Sequence, residues 1–197
     1  LLDDRRYRVR SLLVSPAAFD SLRDAVEPRD DLPVYVASVE QLSALVGFNM
    51  HRGCLALAER PEPVLPASLL EGIGKASLLI VTEHIANADN IGGIFRNAMA
   101  FGAGAVLLSP NCCDPLYRKA VRVSIGGTLR VPFAVVDDWP NGLVLLKQAG
   151  YRLVALTPDA KAQELGLWAR SSRPRPVALL LGHEGSGLSE QTLAMAD

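Results

Sequence analysis

The sequence holds only 3 cysteines in 197 residues: Cys54 and the adjacent pair Cys112 and Cys113. Two neighbouring thiols and one distant thiol make neither a disulfide framework nor a CxxC metal knuckle, so they read as reduced, mostly buried side chains. The 3 histidines, His51, His84 and His183, share no ligand spacing and sit in different loops, which excludes the ordinary zinc patterns and leaves no metal expected. No stretch approaches the ~20 apolar residues that span a bilayer, and the first residues lack a secretory leader. The expectation is a cytoplasmic protein without membrane contact. A formal net charge of -1 gives no global basic signature, so any nucleic-acid contact must come from a local patch. There is no GxSxG elbow, and the serines near helix starts read as caps.

Apolar residues make up 49% of the chain, enough to bury the core of one domain or of one domain with a small companion. Tyr7 to Val14 reads as a strand, and Ser15-Pro16 opens a helix through Ala25. A short strand at Val34 to Ala37, a helix from Val39 to Leu45 capped by Ser38 and a strand at Gly53 to Ala58 complete a small α/β unit over residues 1–60. ERPEPVLP, with three prolines in a few residues, opens a stiff linker over residues 61–75.

Residues 76–197 alternate regularly. Apolar runs at Ser77 to Thr82, Ala105 to Ser109, Phe133 to Val136, Leu153 to Leu156 and Val177 to Leu181 are separated by helical segments at Ile91 to Phe101, Pro115 to Ser124, Gly142 to Ala149 and Lys161 to Leu165. Short continuous apolar strands between helices predict an α/β fold, a mostly parallel sheet with helices on both faces. Ligands of such sheets bind beyond the carboxyl ends of the strands. The loops at that edge are EHIANADN, SPNCCDP, TPDA and GHEGSGLS. Trp139 and Trp168 read as packing residues, and Arg173 and Arg175 as part of a loop before the last strand. The chain begins in mid-pattern at Leu1 and stops at Asp197 as a new helix starts, which predicts that both ends are cut.

The stretch NADNIGGIFRNAMAFGAG carries more than an amphipathic helix requires. Ile91, Ile94, Phe95, Ala98 and Phe101 recur at three- and four-residue intervals and form an apolar stripe, while Asn87 and Asn90 precede the helix. Gly92 and Gly93 sit in its first turn, each costing about 1 kcal/mol against alanine, which predicts close backbone approach there. Arg96 and Asn97 project from the less apolar faces. In GHEGSGLS the glycines Gly182, Gly185 and Gly187 run GxxGxG, which is neither a dinucleotide fingerprint nor a P-loop, and they predict a backbone that turns sharply and approaches a ligand. Glu184 among them is hard to explain as packing, and Ser189 with Glu190 and Gln191 reads as a helix start. Arg118, Lys119, Arg122 and Arg130 stand against Asp114 alone between 111 and 130, a group that fits either a solvated helix face or a phosphate-binding lane.

Together these stretches resemble the SpoU-type RNA ribose methyltransferases of the SPOUT superfamily. NADNIGGIFRNAMAFGAGAVLLSP is similar to the family's first motif, with Asn90, Gly92 and Arg96 at the matching spacing; YRKAVRVSIGGTLRVPF resembles the linking segment and LLLGHEGSGLS the second motif. The resemblance runs from about Ser77 to Asp197, and the third motif would lie just past Asp197. It implies a SPOUT fold with a C-terminal trefoil knot, preceded by a small RNA-binding domain related to a ribosomal protein fold. It also implies S-adenosylmethionine as cofactor, methylation of a ribose 2'-hydroxyl in RNA, and a homodimer. Large-subunit rRNA is a better match than tRNA; a non-catalytic RNA-binding protein on the same fold is the rival, and the reversed glycine order disfavours a nucleotide-binding oxidoreductase. Carried onto this chain, the catalytic residues are Arg96, Asn90 and Glu184, and the cofactor lies at Leu156, Thr157, Gly182, Gly185 and Gly187. The phosphate-lane alternative for Arg118, Lys119, Arg122 and Arg130 gains weight on the same ground.

Overall fold

The structure, a computed structural model, describes residues 1–197 apart from 3, 5, 48, 51, 52, 75, 77 and 172–175. His51, Arg173, Arg175 and the first residue of the run at Ser77 therefore lie outside the described residues. The chain divides into two compact units, Leu1–Glu62 and Pro63–Asp197.

In the first unit β1 (Val9–Val14) pairs in parallel with β2 (Val34–Val36) and antiparallel with β3 (Cys54–Ala58), giving the order β2-β1-β3. The helix α1 (Pro16–Val26) starts where Ser15 accepts a hydrogen bond from the Ala18 amide and Pro16 presets the first turn. A capping box between Ser38 and Gln41 starts α2 (Val39–Val46), and Gly47 in the left-handed conformation ends it. Leu12, Val14, Val26 and Leu32 form the core.

The second unit opens with α3 (Pro66–Ile73), which occupies the stretch expected to be linker. Pro66 stands at the first helical position, where a missing N–H matters least, and Leu69 is buried on the sheet. Five strands follow, β4 (Leu78–Thr82), β5 (Ala105–Leu108), β6 (Phe133–Val135), β7 (Arg152–Ala155) and β8 (Val177–Leu181), all parallel in the order β6-β5-β4-β8-β7. Their uninterrupted apolar runs follow from coverage on both faces. Leu79, Val81, Leu107, Leu153 and Leu180 face Leu69, Leu146 of α7 (Val144–Gln148) and Met195 of α9 (Glu190–Met195). Ile80, Val106 and Leu108 face Ile91, Phe95 and Ala98 of α4 (Ala88–Ala100) and Ala120 of α5 (Arg118–Val123). A short helix, α6 (Gly127–Arg130), had no forerunner in the sequence pattern, and α8 (Leu165–Ser171) begins where the expected helix ends. An Asx turn displaces it: the Lys161 amide donates to Asp159 Oδ1 and the Ala162 amide to the Asp159 carbonyl. The same device at Asp114, whose side chain accepts from the Leu116 amide, delays α5 from Pro115 to Arg118.

Three local expectations change. Phe101 is 78% exposed, because α4 ends at Ala100 and the C-cap backbone turns it off the stripe that buries Ile91, Phe95 and Ala98. Cys54 is exposed on the edge strand β3, and Cys112 and Cys113 are half-buried in the loop after β5, so none of the thiols is a core residue. Asn87 caps α4 by accepting from the Asp89 amide, so the helix starts at Ala88 and takes Asn90 into its first turn, with Gly92 and Gly93 in the second.

The two adjacent glycines differ. A Cβ on Gly92 would lie 2.7 Å from Val123 Cβ and 2.9 Å from the Ala120 carbonyl, so α4 and α5 touch through that position; a Cβ on Gly93 would meet nothing within 4 Å. Gly93→Ala should therefore stabilise the protein by about 0.5–1 kcal/mol through helix propensity. Gly92→Ala should lose about 1–3 kcal/mol by overpacking, both read by urea unfolding.

Candidate active site

β4 lies between β5, its successor in the chain, and β8, which arrives from the far edge. After β4 the chain passes to α4 on one face, and after β8 to α9 on the other. The carboxyl ends of these two neighbouring strands therefore diverge, and this switch point is where a ligand crevice forms in open parallel sheets.

On the β8 side the loop from Gly182 to Leu188 is a closed hairpin. His183 and Gly187 exchange both backbone hydrogen bonds, at 3.1 and 2.8 Å, and the His183 ring nitrogen Nδ1 accepts from the amides of Gly185 and Ser186. A Cβ on Gly182 would stand 2.2 Å from the Gly187 carbonyl carbon, and Gly187 has φ 71°. Both glycines are thus required by the loop's own closure, the sharp turn that the glycine spacing predicts. Gly185 has no such constraint, since its built Cβ makes only ordinary contact with the His183 ring. Glu184 is exposed at the tip, and no described residue pairs with its carboxylate. The end of β7 joins this edge: the Leu156 amide donates to the Leu180 carbonyl, placing Leu156 and exposed Thr157 beside the strand that leads into Gly182.

On the β4 side α4 carries Asn90, half-exposed, and Arg96, exposed, and neither side chain has a partner among the described residues. Six residues separate them, about 9 Å along the axis and on different sides of the helix, though the backward tilt of the side chain directs Arg96 towards the strand ends. Gly127 at the start of α6 packs on the backbone of Phe95 and Arg96, where a Cβ would lie 2.9 Å from the Phe95 carbonyl oxygen. This fixes the turn of α4 that bears Arg96. Arg118, Lys119, Arg122 and Arg130 are all exposed on α5 and α6. Lys119 is engaged, its Nζ 2.6 Å from Asp89 Oδ2, and that hydrogen bond raises its pKa. Among the described residues no His/Cys/Asp/Glu group could hold a metal.

The sequence did not single out Glu83, the residue directly after β4, which is 2% exposed. Its Oε2 accepts from the Ser189 amide at 2.9 Å, and its Oε1 from Ser189 Oγ at 2.7 Å, Trp139 Nε1 at 2.8 Å and Thr192 Oγ1 at 3.1 Å. Its own amide donates to the Leu181 carbonyl. Burial pushes this carboxyl towards the neutral form, but the four donors together outweigh it and hold its pKa below the usual carboxylate range. Trp139, expected only to pack, is one of those donors, and Ser189 is also the N-cap of α9, accepting from the Thr192 amide. A signal was present: residue 83 continues the parity of Leu79 and Val81, the face turned to the core, so a carboxylate there needs internal donors.

Because the folded pKa of Glu83 is depressed, its contribution to stability is present above the unfolded value of about 4.3 and is lost as pH falls through the lower folded value. Urea midpoints should drop on acidification through and below that range, and Glu83→Gln should show a lower midpoint at pH 7 and a flatter acid limb.

Comparison with known proteins bears on residues 77–197, which match the SpoU rRNA Methylase family. Over 92% of this chain it is 40% identical to an uncharacterized tRNA/rRNA methyltransferase of Mycobacterium tuberculosis, and over 82% it is 30% identical to the 23S rRNA (guanosine-2'-O-)-methyltransferase RlmB of Ralstonia nicotianae. It spans 64% of the length of each of these relatives. Among solved structures, the SpoU methyltransferase AviRb from Streptomyces viridochromogenes, in complex with the cofactor AdoMet, superposes with a TM-score of 0.75 at 22% identity, covering 97% of this chain and 72% of that one, and so shares its fold. The family match over residues 77–197 and the 40% identity over 92% of the chain show that the chain belongs to the SpoU rRNA methylase family.

Proposed function

We propose that this protein transfers a methyl group from S-adenosylmethionine to a ribose 2'-hydroxyl of RNA, with large-subunit rRNA as substrate. One observation carries the proposal: the loop after β8 and the helix after β4, which hold the two motif regions, open from adjacent strand ends at the switch point of the sheet. The similarity to RlmB supports a ribose position and a ribosomal substrate, and the relative named for tRNA or rRNA keeps tRNA as the second candidate.

The donor, when bound, supplies a sulfonium methyl that passes to the ribose oxygen as the hydroxyl proton departs. Leu156, Thr157 and the Gly182 to Gly187 hairpin would hold it, since their backbones lie side by side at one exposed edge of β7 and β8. Arg96 would contact the substrate. A guanidinium with a pKa above ~12 is a poor base, so its part is to clamp an RNA phosphate with its fork of donors and to stabilise charge growing on the oxygen. The proton then leaves through that phosphate or a water, while Asn90 and Glu184 complete the polar site.

Arg118, Lys119, Arg122 and Arg130 would extend a positive lane for the RNA backbone, Lys119 by exchanging Asp89 for a phosphate. Acidic residues outnumber basic ones over Leu1–Glu62, so an RNA-binding role for that unit would rest on shape and polar contacts more than on charge. A homodimer joined through a C-terminal trefoil knot belongs to the same proposal. Phe101, Ile125 and Leu193 leave apolar surface exposed on the second unit, which is compatible with a second copy.

Incubation with radiolabelled S-adenosylmethionine and unmodified large-subunit rRNA should label the RNA. Arg96→Ala should lower kcat/KM at least about 100-fold and Arg96→Lys at least about tenfold, since lysine keeps the charge and loses the fork. Full activity of Arg96→Lys would contradict the clamp.

A further inference from the structure

The hairpin from Gly182 to Leu188 has two stems. The first is β8 itself, held in the sheet by its neighbours β4 and β7. The second is Leu188–Ser189, which leaves the sheet and enters α9, and it is held from the side. Three of the four hydrogen bonds to the Glu83 carboxylate come from this stem and the first turn of α9: the Ser189 amide, the Ser189 hydroxyl and the Thr192 hydroxyl. Trp139, from the segment after β6, supplies the fourth. Ser189 and Thr192 are 106 and 109 residues from Glu83 in the chain and reach it only because β4 and β8 are neighbours. Glu83 is 2% exposed and Thr192 0%, so water does not replace these bonds.

The arrangement is stronger than packing requires. An apolar residue at position 83 would continue the core face of Leu79 and Val81 without needing donors. A carboxylate instead fixes the direction of four donors and ties the outgoing stem of the hairpin to the end of the strand that leads to α4. Each of those bonds is charge-assisted, hence short and directional. We propose that Glu83 is a positioning residue for cofactor binding: by holding Ser189 and Thr192 it sets the place of the Gly182–Gly187 hairpin against the end of β7, without touching the cofactor itself. The proposal rests on the reading that this hairpin receives S-adenosylmethionine.

The effect is specific to one ligand. RNA contacts assigned to Arg96, Arg118, Arg122 and Arg130 lie on α4, α5 and α6, whose seating depends on Gly92, Gly127 and the Ile91, Phe95 and Ala98 stripe. Loosening the outgoing stem should therefore weaken the cofactor and spare RNA. Glu83→Gln keeps the size and one oxygen, but turns an NH2 donor towards either the Ser189 amide or the other three donors. Ser189→Ala removes the hydroxyl from the opposite side of the same tie, at an exposed residue, and retains the amide bond.

Calorimetric titration of the full chain with S-adenosylmethionine, and separately with unmodified large-subunit rRNA, tests this in the wild type, Glu83→Gln, Ser189→Ala and the double variant. Losing one or two charge-assisted bonds that hold the hairpin should raise Kd for the cofactor about tenfold in each single variant, with Kd for RNA within about twofold of the wild type. The double variant should weaken cofactor binding by less than the product of the two single effects, because both substitutions break the bond from the Ser189 hydroxyl to Glu83, while only Ser189→Ala also removes the cap on the Thr192 amide. A purely structural carboxylate would lower the unfolding temperature and the folded fraction while leaving the cofactor Kd of the folded protein unchanged, and that result overturns the proposal. Should Glu83→Gln fail to fold, Ser189→Ala decides by the same two constants. A wild-type protein that binds no S-adenosylmethionine overturns the functional reading itself; wild-type binding with both single variants unaltered overturns only the role of Glu83.

Discussion

A carboxylate sealed from water stays charged only where donors replace the whole of its hydration, and Glu83 meets that condition with four hydrogen bonds from three residues on two separate segments. The rest of the second unit is arranged around this requirement. β4 must lie beside β8 for Ser189 to reach it, the segment after β6 must bring Trp139 over the same face, and α9 must start at Ser189 for Thr192 to turn inward. Each of those placements follows from a parallel sheet covered on both faces, with α4 and α5 on the face of Ile80 and Val106 and α3, α7 and α9 on the face of Leu79 and Val81. The order of strands and the buried acid thus support one another.

The same order explains why the unusual residues gather. β4 and β8 end side by side but send their chains to opposite faces, so the edge between them cannot be closed by either connection. The hairpin after β8 compensates by closing on itself through Gly182, Gly187 and the ring of His183, which gives it a fixed shape although its residues from His183 to Ser186 are exposed. α4 is fixed differently, by glycines that let α5 and α6 approach its backbone and by Phe95 set edge-on against Phe133 at 5.7 Å. A rigid hairpin and a rigid helix flanking an open edge are what a transfer reaction between two bound groups needs.

Much of this was legible in the sequence because the signals are local. Continuous apolar runs locate the five parallel strands, Ser15, Ser38 and Ser189 mark helix starts through caps, and the two motif stretches with the segment linking them together point to the family. What escaped was not local. Phe101 fits the periodicity of α4, yet the helix ends one residue before it, and Pro66 looks like linker until α3 finds a sheet to cover. The second reason for a glycine at position 182, its contact with the Gly187 backbone five residues on, is likewise not local. Glu83 has no local partner, its donors lying 56, 106 and 109 residues away, and only the parity of Leu79, Val81 and residue 83 hints that it points inward.

We propose that this edge methylates a ribose oxygen rather than a base. Digestion of the reacted RNA to nucleosides, followed by mass analysis of where the methyl group resides, tests it directly. The expected product is a single 2'-O-methylated nucleoside, and in the intact RNA the phosphodiester on its 3' side resists alkaline cleavage. A methyl group on a base, with the adjacent linkage still cleaved by alkali, would contradict it.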